Sequence, residues 1–193
     1  MAVAQRVLGI DPGLTRCGIA VVDGPAASPG MVLATCVRTP PSQPLEQRLR
    51  AVHEAVSELI REHGPTTVAV ERVLFSKNVR TAMVTGQVVG VALLAAAQAG
   101  LPVVQYPPTD VKLAVAGHGG ADKDAVGRMV RLQLGLSCVP EPADVADALA
   151  VALTHLLRAR HPRGPAGTPA GGGSSWEAAL AANPNVRIVG GTA

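Results

Sequence analysis

The stretch GIDPGLTRCG, residues 9–18, follows the apolar pair Val7-Leu8 and sets a carboxylate, Asp11, where a short strand gives way to a Pro-Gly turn. The chain has only 14 acidic residues in 193, so an acid at the edge of its own core needs a physical reason. Working outward, residues 6–11, 17–23 and 31–39 are short, apolar and rich in β-branched side chains, with Gly and Pro between them. They predict a three-stranded meander.

Residues 44–63 read as a helix. Leu45, Leu49, Val52, Val56, Leu59 and Ile60 recur at helical spacing, and Gly64-Pro65 stops the run. Residues 67–71, TVAVE, are apolar without alternation, as in a central buried strand. A helix over 80–99 is apolar nearly all round, which predicts cover on several sides. A strand over 102–106 and helices over 109–116, 122–134 and 143–160 complete the order βββαβαβααα. That order is an α/β fold with a mixed sheet of about five strands flanked by helices.

The domain is expected to span residues 1–160. Residues 161–193 begin HPRGPAGTPAGGGSS, a Gly/Pro/Ser-rich composition that predicts a flexible tail. No run of about 18 apolar residues is free of charges and glycines, so no membrane span is expected. The N-terminus lacks a basic region followed by a long apolar stretch, and the expected location is cytoplasmic. Cys17, Cys36 and Cys138 are far apart and form no CxxC pair, which points to free thiols in a reducing compartment. With only Phe75, Tyr106 and Trp176 as aromatics, base stacking on aromatic platforms is not expected.

The acids carry the chemistry. Asp11 ends the first strand and Glu71 the fourth, and those strands can lie side by side in parallel. Asp144 and Asp147 are three apart on the last helix, hence on one face. Three have an ordinary reading: Asp11 as a turn former, Asp144 as a first-turn acid, Glu71 as a partner of Arg72 or another basic residue; Asp147, deeper in an apolar helix, is harder to read as a solvated charge. Together they suggest one anionic cluster, which protons or cations must neutralise. Oxygen donors without a Cys/His set favour hard divalent cations, and two such ions suit phosphodiester cleavage. With those four set aside, 17 basic residues face 10 acidic ones, a balance suited to a polyanion. Lys77, Arg80, Lys112, Lys123, Arg128 and Arg131 are candidate contacts; the ordinary reading of each is a solvated charge.

GIDPGLTRCG, VAVERVLFSKN, TDVKLAVAGHGGADK and PADVADALAVALTH, in this order and spacing, resemble the RuvC family of Holliday junction resolvases over residues 5–157. The resemblance implies an RNase H-like fold, a homodimer, and paired nicking of opposed strands in a four-way DNA junction that leaves 5′-phosphate and 3′-hydroxyl ends. It places the catalytic and metal-binding acids at Asp11, Glu71, Asp144 and Asp147, with two Mg2+ per site (Mn2+ as the substitute), and the functional lysines at Lys112 and Lys123. It also implies cooperation with the RuvA–RuvB branch-migration complex. Where the family often carries a base-contacting aromatic, this chain has Leu74 followed by Phe75, either of which can serve as an apolar wedge. The helix over 80–99, with Gly86 and Gly90, is the candidate dimer interface. Three other readings remain. An RNase H-like nuclease of ribosomal RNA precursors shares a Gly-Ile-Asp-x-Gly turn. Actin-like ATPases share the pattern of Asp11, Gly13 and Thr15. A non-catalytic junction-binding module would need a broken acid set.

Overall fold

The computed structural model describes residues 5–73 and 79–159. They belong to one compact unit, Met1–His161. The expected tail, 161–193, lies outside the described residues, as do Leu74, Phe75 and Lys77. Ten elements follow in the expected order: β1 (Val7–Asp11), β2 (Arg16–Asp23), β3 (Gly30–Arg38), α1 (Leu45–His63), β4 (Thr67–Glu71), α2 (Val79–Gln98), β5 (Val103–Tyr106), α3 (Pro108–Ala116), α4 (Lys123–Gln133) and α5 (Ala143–Ala159). They form a mixed α/β fold around one five-stranded sheet of order β3-β2-β1-β4-β5. The first three strands pair antiparallel, while β4 joins β1 and β5 joins β4 in parallel.

Strand alternation divides the core into two layers. Leu8, Ile10, Ile19, Val21, Val68 and Val70 face α1 and α2. Val7, Ala20, Val22 and Ala69 face the other way, toward α3, α4 and α5. Every one of these strand residues is fully buried, so β1 and β4 read as continuous apolar runs. Arg6 directly precedes β1, and its guanidinium donates to Asp23 Oδ2 at 2.7 Å and to the His63 carbonyl at 2.8 Å.

Helix α5 decides how close the two layers come. It packs across β1 and β2, and it touches their backbone where they carry glycine. A Cβ on Gly18 would lie 1.9 Å from the Asp144 carbonyl oxygen, and one on Gly9 would lie 2.4 Å from that of Ala148. Small residues on the helix, Ala148 and Ala152, complete the contact. The same docking delivers Asp144 and Asp147 to the end of the sheet where β1 finishes.

The expectation that α2 is covered on several sides does not hold within one chain. Val88, Val89, Ala92, Ala95 and Ala96 are buried, and α2 packs against α1. Its other face exposes Val79 (65%), Met83 (66%) and Leu94 (51%), with Gly86 and Gly90 open beside them. By length and composition α2 could cross a membrane, but its buried face is committed to the domain core.

Gly18→Ala should therefore force α5 away from the sheet and lower unfolding free energy by about 3 kcal/mol or more. Gly30→Ala, whose Cβ would find its nearest neighbour at 3.7 Å, should change it by less than about 1 kcal/mol. Urea denaturation of both variants tests the contrast, and equal losses would reject the close-approach explanation.

Candidate active site

The acids gather at the end of the sheet where β1, β4 and β5 finish and β2 begins. β1 and β4 are parallel neighbours with Ile10 opposite Val70, so Asp11 and Glu71, the next residue on each, sit side by side. Alternation from Gly9 and from Ala69 turns both carboxylates to the α5 face. Asp144, in the first turn of α5, and Asp147, one turn on, reach the same end because Gly18, directly opposite Asp11 in the β1–β2 pair, lets the helix in.

The four acids share one electrostatic field. The Asp11 carboxyl is pushed up to about 7, foremost by burial and then by the negative charges of Asp147, Glu71 and Asp144, with Lys123 opposing. Burial also raises Glu71, and Asp147 adds to it, while Lys123 and Lys112 pull the other way. Lys123 opens α4 and donates from Nζ to Asp147 Oδ2 at 3.0 Å, which raises its own pKa. Lys112, half-buried on α3, is near enough to act on Glu71. Both lysines singled out from the sequence therefore adjoin the acids.

Arg16 was not singled out. It stands at the start of β2, and its guanidinium contacts the Asp144 carboxylate, an interaction that raises the arginine pKa. Alternation from Gly18 already put Arg16 on the Asp11 face, and that was the available signal. Among the described residues, no three His, Cys, Asp or Glu side chains stand close enough to hold a metal ion as placed; Arg16 and Lys123 hold two of the four acids. The donor chemistry nevertheless fits a hard divalent cation. All four candidates are carboxylates, and Asp11, raised foremost by burial, is raised further by its three acidic neighbours.

Beside Asp11 and Glu71 lies a cleft of about 260 Å3 lined also by Pro12, Val73, Pro108, Thr81 and Thr85. The two threonines lie one turn apart on α2 and were missed in the sequence because nothing in it marks which face of that helix meets the strand ends. Arg80 is exposed at the start of the same helix. Arg128 and Arg131 lie farther along α4, beyond the end that carries Lys123. Behind the acids, Tyr106, opposite Glu71 in the β4–β5 pair, shares a hydrogen bond of 2.9 Å with His155 Nδ1. Arg158 covers the Tyr106 ring at 5.4 Å and pairs with Asp110 at 2.7 Å. These contacts tie α3, and with it Lys112, to α5. The three cysteines are free, and burial pushes the Cys17 thiol up to about 12, leaving it inert.

Residues 7–155 match the family described as Crossover junction endodeoxyribonuclease RuvC. The chain belongs to the RuvC family. A protein of that name from Saccharopolyspora erythraea is 53% identical over 160 residues, covering 80% of this chain and 78% of the relative. RuvC of Thermus thermophilus, solved in complex with Holliday junction substrate, superposes with a TM-score of 0.78 at 42% identity, over 81% of this chain and 95% of that one. The yeast mitochondrial Holliday junction resolvase Ydc2 shares the fold, with a TM-score of 0.58 at 14% identity over 82% of this chain and 83% of that one. The expected RNase H-like architecture is the one this chain adopts.

The raised Asp11 pKa has a consequence for stability. In the folded chain Asp11 keeps its proton up to about pH 7, whereas the unfolded chain releases it near 3.8. The native state binds more protons in that window, so this contribution is complete below 3.8 and is lost as pH rises through about 7. Without divalent cations, Asp11→Asn should be more stable than wild type at about pH 8, by on the order of 2–4 kcal/mol. The gap should close as pH falls toward 4. Urea denaturation with chelator measures it, and identical stability under basic conditions would rule out a raised Asp11 carboxyl.

Proposed function

We propose that this chain resolves Holliday junctions by divalent-metal-dependent nicking of two opposed strands, with its chemistry at Asp11, Glu71, Asp144 and Asp147. Family membership makes it a crossover junction endodeoxyribonuclease. The observation that supports the site is the convergence of four carboxylates at one end of the sheet, where burial foremost, and then the charges of Asp147, Glu71 and Asp144, raise Asp11 to about 7.

Those four residues would hold the cations, two Mg2+ with Mn2+ as a substitute. Bound there, such ions supply activation of the attacking water and charge neutralisation at the leaving oxygen. The chain's own groups do the rest. Asp11, at the end of β1, anchors the site on the paired strands β1 and β4. Lys112 and Lys123 bring positive charge beside the acids, where phosphate oxygens gain negative charge during in-line attack. The 3′ oxygen leaves, which yields a 5′-phosphate and a 3′-hydroxyl. The ribosomal RNA alternative gains no support from the RuvC relatives described above. Partnership with RuvA–RuvB rests on family membership alone.

Two strands cut symmetrically call for two sites related by a two-fold axis. The exposed α2 stripe of Val79, Met83, Gly86, Gly90 and Leu94 is the proposed contact between two copies, and an apolar hollow lined by Val73, Val79, Ala82, Met83 and Gly86 lies at its start. Glycine at two successive turns permits close helix approach.

Asp11→Asn should reduce cleavage of a synthetic four-way junction by at least about 1000-fold while junction binding persists, and chelator should abolish wild-type cleavage. Full activity of that variant with Mg2+ supplied would sink the site assignment. Met83→Glu should convert a two-subunit mass to one subunit in light scattering. A one-subunit mass for wild type would remove the dimer.

A further inference from the structure

The proposed nuclease site has positive charge on both flanks. Along the active end of the sheet, strand order sets Arg38, Arg16, Asp11 and Glu71 in succession from the β3 edge inward. Lys112 and Lys123 flank the acids from the α3–α4 side. The β2–β3 side carries a second basic group.

Arg16 and Arg38 are directly opposite each other across β2 and β3. Both fall on the α5 face, because Cys17 and Val37, one position in, pack into the opposite layer. Like charges opposed on neighbouring strands are destabilising. Arg16 is held by Asp144. Arg38 is exposed, and its guanidinium has no ion pair or hydrogen bond among the described residues. A third guanidinium braces the same corner from α1. Arg48 donates from Nε to Thr39 Oγ1 and from Nη2 to Thr15 Oγ1, both at 2.9 Å. The Thr39 amide in turn donates to the Thr15 carbonyl at 3.1 Å. Thr15 and Thr39 are the chain neighbours of Arg16 and Arg38, so the two arginines project from a cross-braced strand end. Of the three guanidinium groups at this strand end, only that of Arg16 pairs with a carboxylate, Asp144; Arg48, which reaches in from α1 on the opposite face, meets only neutral oxygens.

We propose that Arg38 and Arg16, braced by Arg48, form a phosphate-holding surface that carries the DNA sugar–phosphate backbone away from the carboxylates on the β3 side. This rests on the nuclease reading above and extends it, because a strand crossing the acids must continue past both flanks. A guanidinium fork suits phosphate oxygens, and a rigid mount lowers the entropy lost on contact.

The test is junction binding by the full chain in chelator, followed by fluorescence anisotropy across a range of salt concentrations. Arg38→Gln should weaken binding several-fold and reduce the slope of log affinity against log salt by about one, and Arg16→Gln/Arg38→Gln by about two. Arg38→Lys should restore most of the slope, which a purely structural role of the side chain would not do. Arg61→Gln, an exposed arginine at the far end of α1, should leave the slope unchanged. Thermal melting checks that each variant folds. If wild type cleaves junctions with Mg2+ and Arg38→Gln keeps the wild-type slope, the surface is overturned and the nuclease site stands. If the slope falls as expected but wild type fails to cleave, the surface stands and the nuclease reading fails.

Discussion

The close approach of α5 to the backbone of β1 and β2 is the constraint on which the rest of this structure depends. Two glycines, Gly9 and Gly18, remove the side chains that would otherwise separate helix from sheet. The helix then presses its own small residues, Ala148 and Ala152, against the strands, and its first turn comes level with the end of β1. The packing serves the core and the site together. The buried row from Val145 to Leu153 supplies apolar contact, while Asp144, just before that row, and Asp147, within it, are carried toward Asp11. Moving the helix outward by the width of a methyl group would dilute the charge cluster as well as the core.

Gathering four carboxylates creates an electrostatic problem that the protein answers with side chains. Lys123 takes Asp147 and Arg16 takes Asp144. Asp11 and Glu71 sit on the strands, where burial foremost, and the neighbouring carboxylates after it, raise their pKa values against the pull of Lys123. The site thus combines rigid, undercompensated acids on the sheet with reachable, compensated acids on the helix. Such a division suits a centre that must accept hard cations and a polyanionic strand at the same place.

The α2 helix reveals a different kind of unmet demand. Its sequence is apolar enough to be buried all round, yet a single chain buries only the face toward α1 and the sheet. The remaining stripe of Val79, Met83 and Leu94 lies open. Composition registers how much apolar surface a helix carries, but not whether the same chain or a second copy supplies the cover.

Much of the fold was legible because its signals are local. Apolar runs, helical spacing and the Gly64-Pro65 stop produced all ten elements in order, with ends differing by about one residue, because terminal residues carry the weakest local signal. The four acids were legible too, since carboxylates at the ends of buried strands and inside an apolar helix conflict with their surroundings and so stand out. Arg16, Arg38, Thr81 and Thr85 were not visible in this way. They are ordinary polar residues at ordinary surface positions, and their significance arises only from strand pairing and helix docking. Sequence by itself determined which elements form and which residues carry unusual charge, because propensity, periodicity and burial act over neighbouring positions. Tertiary structure alone decided which basic groups neutralise which acids and which face of α2 stays open, because those outcomes depend on distances between segments far apart along the chain.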